Sequence, residues 1–257
     1  MSSFFKLSGN NHSGLILLAD HASNHLPQTY GTLGLFDHDL QRHIAYDIGI
    51  KALTHALSAR LKVPAILSNF SRLLIDPNRG LQDPTLITQL SDGAVIPGNY
   101  PMNDFERQKR IKDFYNPYDQ AIKQTITEVE KETKKSPMVV SLHSFTPIWR
   151  GTPRPWQIGL LWDTDDRVFS PLYDGLQKFK DLTIGNNQPY DGALKGDTMN
   201  RHCTENGIAH ILIEIRQDLL ETDAAIEKWV DNLAPLLSKI NEDPSIHTQK
   251  YFTSRAL

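Results

Sequence analysis

The chain has 257 residues, of which 39% are hydrophobic and 22% are charged, as in globular proteins. Its 27 basic and 30 acidic residues exclude the strongly basic composition of a nucleic-acid-binding protein. The single cysteine, Cys203, excludes an intrachain disulfide, and neither a signal peptide nor a membrane-spanning run is visible. We therefore expect one domain over residues 1–257, located in the cytoplasm, with no nucleic-acid or membrane partner.

The predicted elements alternate between short apolar runs and longer helical patterns. A strand at 15–19 precedes a helix whose apolar stripe runs from Leu40 to Leu57. A strand at 63–67 is followed by an irregular segment at 80–103 and a helix carrying Ile122, Ile126 and Val129. Strands at 138–142 and 158–162, a helix at 169–179, a strand at 210–215 and a helix at 222–240 complete the order. This order predicts an α/β fold, a three-layer domain with a mostly parallel mixed sheet covered by helices.

Polar side chains stand at the ends of three of these strands. His21 follows the first strand with Asn24 three positions on, His143 follows the run at 138–142, and Glu214 closes the last apolar run. Ligands of open α/β sheets bind at the carboxyl ends of the strands, and two imidazoles with a carboxylate are typical of a metal hydrolase. Two other interpretations stay open. Each histidine could be structural, and Glu214 could pair with Arg72 or Arg216.

A fourth segment concentrates charge in the run SRLLIDPNR at 71–79. Arg72 and Arg79 flank Asp76 and Asn78, and two guanidinium groups near a cation indicate a bound anion between them. For either arginine alone, a simple loop-stabilising pair with Asp76 explains the pattern equally well. The segment therefore predicts a site for a carboxylate, with that alternative open.

The ordered set of motifs resembles the N-formylglutamate amidohydrolase family, which is related in fold to the zinc carboxypeptidases and the phosphorylase/hydrolase-like proteins. The matching segments are ADHASNHLP (19–27), HIAYDIG (43–49), SRLLIDPNR (71–79), SDGAVIPGN (91–99), SLHSFTP (141–147), RPWQIGLLW (154–162), NQPY (187–190), GDTMNRH (196–202) and IEIRQDL (213–219). They extend along nearly the whole chain. No single segment is specific, but their order is.

The resemblance implies a zinc-dependent hydrolysis of a small N-acyl amino acid, with N-formyl-L-glutamate as the first expectation. It implies one Zn²⁺, or another divalent ion, held by His21, Asn24 and His143. It implies Glu214 as the general base and Arg72 at the developing oxyanion. The residues that it implies for substrate binding are Asn78, Arg79, Ser144, Arg154, Asp197 and Arg216.

One position departs from the carboxypeptidase pattern, because Asn24 stands where that pattern has a glutamate. A neutral amide oxygen offsets none of the charge of the cation and is a poorer zinc ligand than a carboxylate, so Asp20 or a water could take the place of Asn24 as the ligand. Two alternatives to the amidohydrolase prediction therefore stay open. The chain could be a small-molecule-binding protein without turnover, or a peptidase that resembles the carboxypeptidases.

Overall fold

A computed structural model describes residues 2–256, and a seven-stranded mixed sheet forms its centre. The strands are β1 (Phe4–Leu7), β2 (Leu15–Ala19), β3 (Ala65–Ser68), β4 (Met138–Phe145), β5 (Ile158–Leu161), β6 (Ile184–Asn186) and β7 (His210–Arg216). They lie in the order β1-β3-β2-β4-β7-β5-β6. The four strands β3, β2, β4 and β7 are parallel. At one edge β1 is antiparallel to β3, and at the other β5 is antiparallel to β7 and parallel to β6.

The helices connect these strands. They are α1 (Ile50–Leu61), α2 (Asp104–Arg110), α3 (Asn116–Thr133), α4 (Phe169–Leu176), α5 (Thr198–His202) and α6 (Asp223–Asn241). A π-helical turn, Ile111–Tyr115, joins α2 to α3, and short 3₁₀ turns lie at Asn11–Ser13, Gln28–Tyr30, Asp39–Gln41, Pro97–Asn99, Thr204–Asn206 and Gln217–Leu219. Two small ribbons pair Leu90–Ser91 with Ala94–Val95 and Ile148–Trp149 with Thr152–Pro153.

Helices cover both faces of the sheet. Along β2, Leu15 and Leu17 pack in the core shared with α1, α4 and α6, whereas Ile16 and Leu18 pack in the core shared with α3. All four side chains are at most 1% exposed. Burying an aliphatic side chain of this size contributes roughly 1.5–3 kcal/mol to the free energy of unfolding. A strand that is buried on both faces needs apolar residues at every position, which explains its continuous apolar run. The predicted three-layer α/β fold is confirmed.

The central strands match their predicted positions, and the differences lie at the edge strands, at the first helix and at α2 and α5, which were not predicted. The edge strands β1 and β6 were not predicted, because they are short and carry few buried residues. The first helix begins only at Ile50, so the stripe from Leu40 to Ile48 lies in turns. Gly49 directly precedes the helix, and its φ of +84° lies in the left-handed region, outside the helical range. A side chain could not replace this glycine, because a Cβ would lie 2.4 Å from Cβ of Leu220. No helix within residues 2–256 has the length and apolar character that a membrane span requires.

Candidate active site

The carboxyl ends of β2, β4 and β7 lie side by side and bring three predicted residues together. His21 follows β2, whereas His143 and Glu214 lie inside β4 and β7, near their ends, and are paired in the register of the two strands. The imidazole centroids of His21 and His143 are 4.9 Å apart, with the rings nearly perpendicular. All three side chains are buried and line one cavity of about 580 Å³. The parallel order of the three strands thus produces the convergence that the sequence indicated.

Asp47 forms a cluster with His21 and His143. Its Oδ2 atom lies 3.4 Å from Nδ1 of His21 and 2.9 Å from Nδ1 of His143. One ligand atom from each of these three residues lies within 4.8 Å of the others. The structure does not bring Asn24 to this position, because its Nδ2 atom donates to the carbonyl of Leu40 at 2.9 Å and its side chain does not line the cavity. A carboxylate therefore stands where the sequence suggested a neutral amide.

Two further buried carboxylates orient the imidazoles from behind. Oδ1 of Asp76 lies 2.7 Å from Nε2 of His21, and Oδ2 of Asp20 lies 3.1 Å from Nε2 of His143. When the Nε2 atom of an imidazole donates to a carboxylate, its Nδ1 atom keeps a free lone pair, as metal-binding histidines require. Both Nδ1 atoms face Asp47. With Nε2 donating to these outer carboxylates, both Nδ1 atoms would be available to a cation.

These residues fit a divalent cation. Within residues 2–256, Nδ1 of His21 is buried and has no hydrogen-bond partner. A buried nitrogen acceptor without a hydrogen-bond partner lowers the stability of the folded state unless a ligand binds to it. Two imidazole nitrogens and one carboxylate are a donor set that zinc accepts, with room for a further ligand, and other divalent ions accept it as well. The burial of Asp20, Asp47 and Asp76 around one point also favours a positive charge there.

The carboxylates of the cluster are held ionised by their neighbours. Burial alone would raise the pKa of Asp76, but the charges of Arg72 and His21 hold that pKa well below its usual range. Nη2 of Arg72 donates to Oδ2 of Asp76 at 2.7 Å, and its Nη1 lies 3.6 Å from Oδ1 of Asp47. Burial would likewise raise the pKa of Asp47, and its two histidine neighbours hold it low instead. Arg72 therefore lies between Asp47 and Asp76 and interacts with both carboxylates.

Glu214 differs from these aspartates because it lacks a cationic partner in contact. Its Oε2 atom is buried and has no hydrogen-bond partner among residues 2–256. Burial raises the pKa of Glu214 to about 7, and the charge of Asp47 adds to the increase. A carboxyl group with a pKa near neutrality exchanges a proton readily at physiological pH. Glu214 therefore has the properties of a general base or acid in the cavity.

The basic loop at 71–79 forms another part of the cavity wall. Oδ1 of Asn78 accepts a hydrogen bond from the backbone N–H of Thr198 at 3.0 Å, so its amide NH₂ group remains for a ligand. Among residues 2–256, the guanidinium group of Arg79 makes only long contacts, 3.4 Å to the carbonyl of Asn78 and 4.0 Å to Oδ2 of Asp83. Because Arg72 is bound to Asp76, Arg79 is the more available guanidinium group for an anion.

A buried arginine fixes the conformation of this loop. Arg110 is 2% exposed and donates from Nη1 to the carbonyl of Leu74 at 2.9 Å and to Oδ1 of Asn99 at 2.6 Å. Asn99 in turn donates to the carbonyl of Leu73 at 2.8 Å. These contacts satisfy carbonyl groups that would otherwise be buried without partners. The basic loop is thus rigidly attached to α2.

The other residues predicted to bind substrate have different positions. Ser144 and Asp197 line the cavity, although the Ser144 hydroxyl donates to the carbonyl of Ile48 and Asp197 caps α5. Arg154 and Arg216 do not line it. Arg154 donates to the hydroxyl of Tyr190 at 3.1 Å and stacks near aromatic rings, and Arg216 is bound to Asp218 and to the carbonyl of Arg154. The structure therefore does not bring these two arginines to the cavity.

The sequence did not indicate Asp47 as a ligand, and it offered Asp20 only as a replacement for Asn24. Asp47 lies in the HIAYDIG segment, four positions after His43. His43 and Asp47 both line the cavity, on turns that precede α1. Asp20 directly precedes His21, and its position beside a strand end was the available signal. Neither could be ranked above other acidic residues without coordinates.

Comparison with known proteins identifies the family of the chain. The family model for N-formylglutamate amidohydrolase matches residues 13–221. The structure of gene product Atu2144 from Agrobacterium tumefaciens is 31% identical, with a TM-score of 0.86 over 93% of this chain and 95% of that chain. The N-formylglutamate amidohydrolase from Ralstonia eutropha JMP134 is 22% identical and shares the fold, with a TM-score of 0.67 over 94% of this chain and 98% of that chain. A search of curated proteins found no significant match. The chain belongs to the N-formylglutamate amidohydrolase family.

Proposed function

We propose that the chain hydrolyses the amide bond of an N-acyl amino acid, with N-formyl-L-glutamate as the first substrate to test, and that it does so with a bound zinc ion. The observation that carries the proposal is the cluster in which Nδ1 of both His21 and His143 faces Asp47, while Glu214 lines the same cavity with an Oε2 atom that has no hydrogen-bond partner among residues 2–256. Family membership supports the amide as the bond that is broken.

The reaction needs an activated water and a proton carrier. His21, Asp47 and His143 would hold the ion, and the chemistry that it would supply is Lewis acidity toward the acyl carbonyl and toward the attacking water. Glu214 takes a proton from that water as its oxygen bonds to the carbonyl carbon. Glu214 then delivers the proton to the amide nitrogen as the C–N bond breaks, which gives the carboxylic acid and the free amine. A pKa near 7 suits both transfers.

The basic loop supplies the contacts for the substrate. We assign binding of the α-carboxylate to Arg79 and the amide of Asn78, because both line the cavity and have donors without a close partner among residues 2–256. Arg72 is the nearest guanidinium group to the metal cluster, and we assign to it the stabilisation of negative charge on the carbonyl oxygen. The cavity of about 580 Å³ is in the size range that encloses a small ligand.

The test is a substrate panel on the zinc-loaded protein, with N-formyl-, N-acetyl- and N-succinyl-glutamate and a short peptide. The proposal predicts release of the free amino acid from at least one N-acyl substrate. It also predicts loss of that turnover in Glu214→Gln at unchanged zinc content. If the protein binds zinc but hydrolyses none of the N-acyl amino acids, the result would favour a small-molecule-binding protein without turnover. Cleavage of the peptide alone would favour a peptidase.

A further inference from the structure

One wall of the cavity is a loop at residues 187–195, between β6 and α5. Residues 190–194 of this loop line the cavity. Oδ1 of Asn187 accepts the backbone N–H groups of Trp162 at 2.9 Å and of Gly192 at 3.1 Å, which attaches the loop to the end of β5. Gly192 approaches so closely that a Cβ would lie 2.2 Å from the backbone nitrogen of Trp162. The base of the loop is thus fixed, but its tip needs another support.

That support comes from a distant part of the chain, residues 251–256, which lie outside the family match at 13–221. Arg255 donates from Nη2 to Oδ1 of Asp191 at 2.9 Å and from Nη1 to Oδ2 at 3.1 Å. Its Nη2 also reaches the carbonyl of Trp162 at 2.9 Å. One guanidinium group therefore joins the loop to the end of β5 through the carbonyl of Trp162, whereas Asn187 binds the backbone N–H of the same residue.

Arg255 is itself held in place. Its backbone N–H donates to Oδ1 of the buried Asp163 at 2.8 Å, and its Nε to the carbonyl of the same residue at 3.2 Å. Nearby, the carbonyl of Thr253 accepts from the hydroxyl of Thr164 at 2.8 Å. Fixed attachment matters because a bidentate pair orders a loop only if the arginine does not move with it.

The exposure of the pair determines what it does. The side chains of Asp191 and Arg255 are 57% and 43% exposed. Exposed ion pairs contribute little to global stability, even when their geometry is good. A bidentate contact on a loop that forms a cavity wall instead reduces the local motion of that wall. Through the position of the wall it affects the affinity of the site for its ligand.

We propose that Arg255 is a positioning residue for the active site, which acts through Asp191 to hold residues 190–194 as the cavity wall. The kinetic consequence rests on the proposed hydrolase function, whereas the ordering of the loop does not. Because residues 190–194 line the cavity and have no assigned part in proton transfer, we expect loosening of the loop to raise KM and to leave kcat nearly unchanged.

The experiment compares Arg255→Ala and Arg255→Lys with a matched control, Arg60→Ala. Arg60 is 46% exposed and also binds two carboxylates, Asp231 and Glu227, but on α1 and α6. Amide hydrogen exchange is measured by mass spectrometry on the full chain, together with kcat and KM. We expect exchange in peptides covering 190–195 to rise about tenfold in both Arg255 variants, and KM to rise about three- to tenfold, with kcat within twofold. Asp191→Asn should give the same result, and Arg60→Ala should change neither quantity.

Unchanged exchange at 190–195 in Arg255→Ala would overturn the proposal. So would exchange that rises equally across the whole sheet, since that result shows a global structural role. If the wild-type chain hydrolyses no N-acyl amino acid, the proposed function fails, but the exchange measurement still decides whether Arg255 holds the loop.

Discussion

Nδ1 of His143 lies 2.9 Å from Oδ2 of Asp47, although 96 residues separate them in the chain. His143 comes from the middle of the sheet, and Asp47 from a turn whose backbone N–H donates to the carbonyl of His21 at 2.9 Å. Asp47 is thus attached to one histidine through its backbone and faces both through its side chain. This relationship makes Asp47, and not Asn24, the third member of the proposed metal site.

Substitution at these two positions should therefore have opposite outcomes. Asp47→Asn removes the one carboxylate within residues 2–256 that contacts both Nδ1 atoms, and we expect zinc affinity to fall roughly tenfold or more. Asn24→Ala removes a contact with the carbonyl of Leu40 and should leave zinc content unchanged. Elemental analysis after dialysis against a zinc buffer measures both. Retained zinc in Asp47→Asn with loss in Asn24→Ala would reverse the assignment.

Glu214→Gln should abolish most turnover without releasing the metal. The amide has the same shape but accepts no proton, so kcat should fall on the order of 10²- to 10⁴-fold. In the wild type, activity should increase with pH up to about 7, because the pKa of Glu214 is raised to about 7 and only the carboxylate acts as base. A bound cation lowers the pKa of Glu214 and so shifts this increase in activity to lower pH. Initial rates measured from pH 5 to 9 test the pH dependence. Activity of Glu214→Gln within a few-fold of the wild type would show that Glu214 is not the base.

Arg79→Ala should act on substrate binding. Its guanidinium group makes no close ion pair with any residue in 2–256, so its loss should raise KM for substrates with a free α-carboxylate by about 10- to 100-fold, with little change in kcat. An α-carboxamide analogue is the matched control, and Arg79→Ala should not change its KM. If the wild-type protein cleaves acid and amide equally well, Arg79 does not anchor the carboxylate.

Much of this site was accessible from the sequence. The central strands β2, β4 and β7 are continuous apolar runs, so their ends and the residues His21 and Glu214 could be located by inspection. Asp47 could not, because residues 40–48 carry a helical stripe but fold as turns before Gly49. Local periodicity contains no information on which turn crosses over a strand end.

The arginines illustrate the same limit. Composition provides several cations for a carboxylate, yet the structure brings Arg79 to the cavity and binds Arg216 to Asp218 outside it. The partner of a long flexible side chain depends on tertiary contacts that no local pattern encodes. Arg110 is the clearest case, because it reads as a surface residue of a charged helix and is 2% exposed.

Asp197 should make stability depend on pH. Burial raises its pKa to about 7, against about 4 in an unfolded chain, so the folded state binds the extra proton between these values. Its contribution to the free energy of unfolding therefore falls as pH rises from about 4 to about 7, by roughly 2–4 kcal/mol.

Asp197→Asn keeps an oxygen to accept the N–H of Asn200 and removes the titration. Urea unfolding at pH 4.5, 6 and 8 should show the variant gaining stability over wild type as pH increases. A difference between the two proteins that is constant with pH would contradict the raised pKa.

The central claim is that one ion binds His21, Asp47 and His143 together. Anomalous diffraction at the zinc edge, on crystals of the zinc-loaded protein, tests it most directly. We predict a single strong peak about 2.0–2.2 Å from Nδ1 of both histidines and from a carboxylate oxygen of Asp47. A peak bound through the Nε2 atoms, a peak outside this cluster, or no peak at full zinc loading would contradict the account.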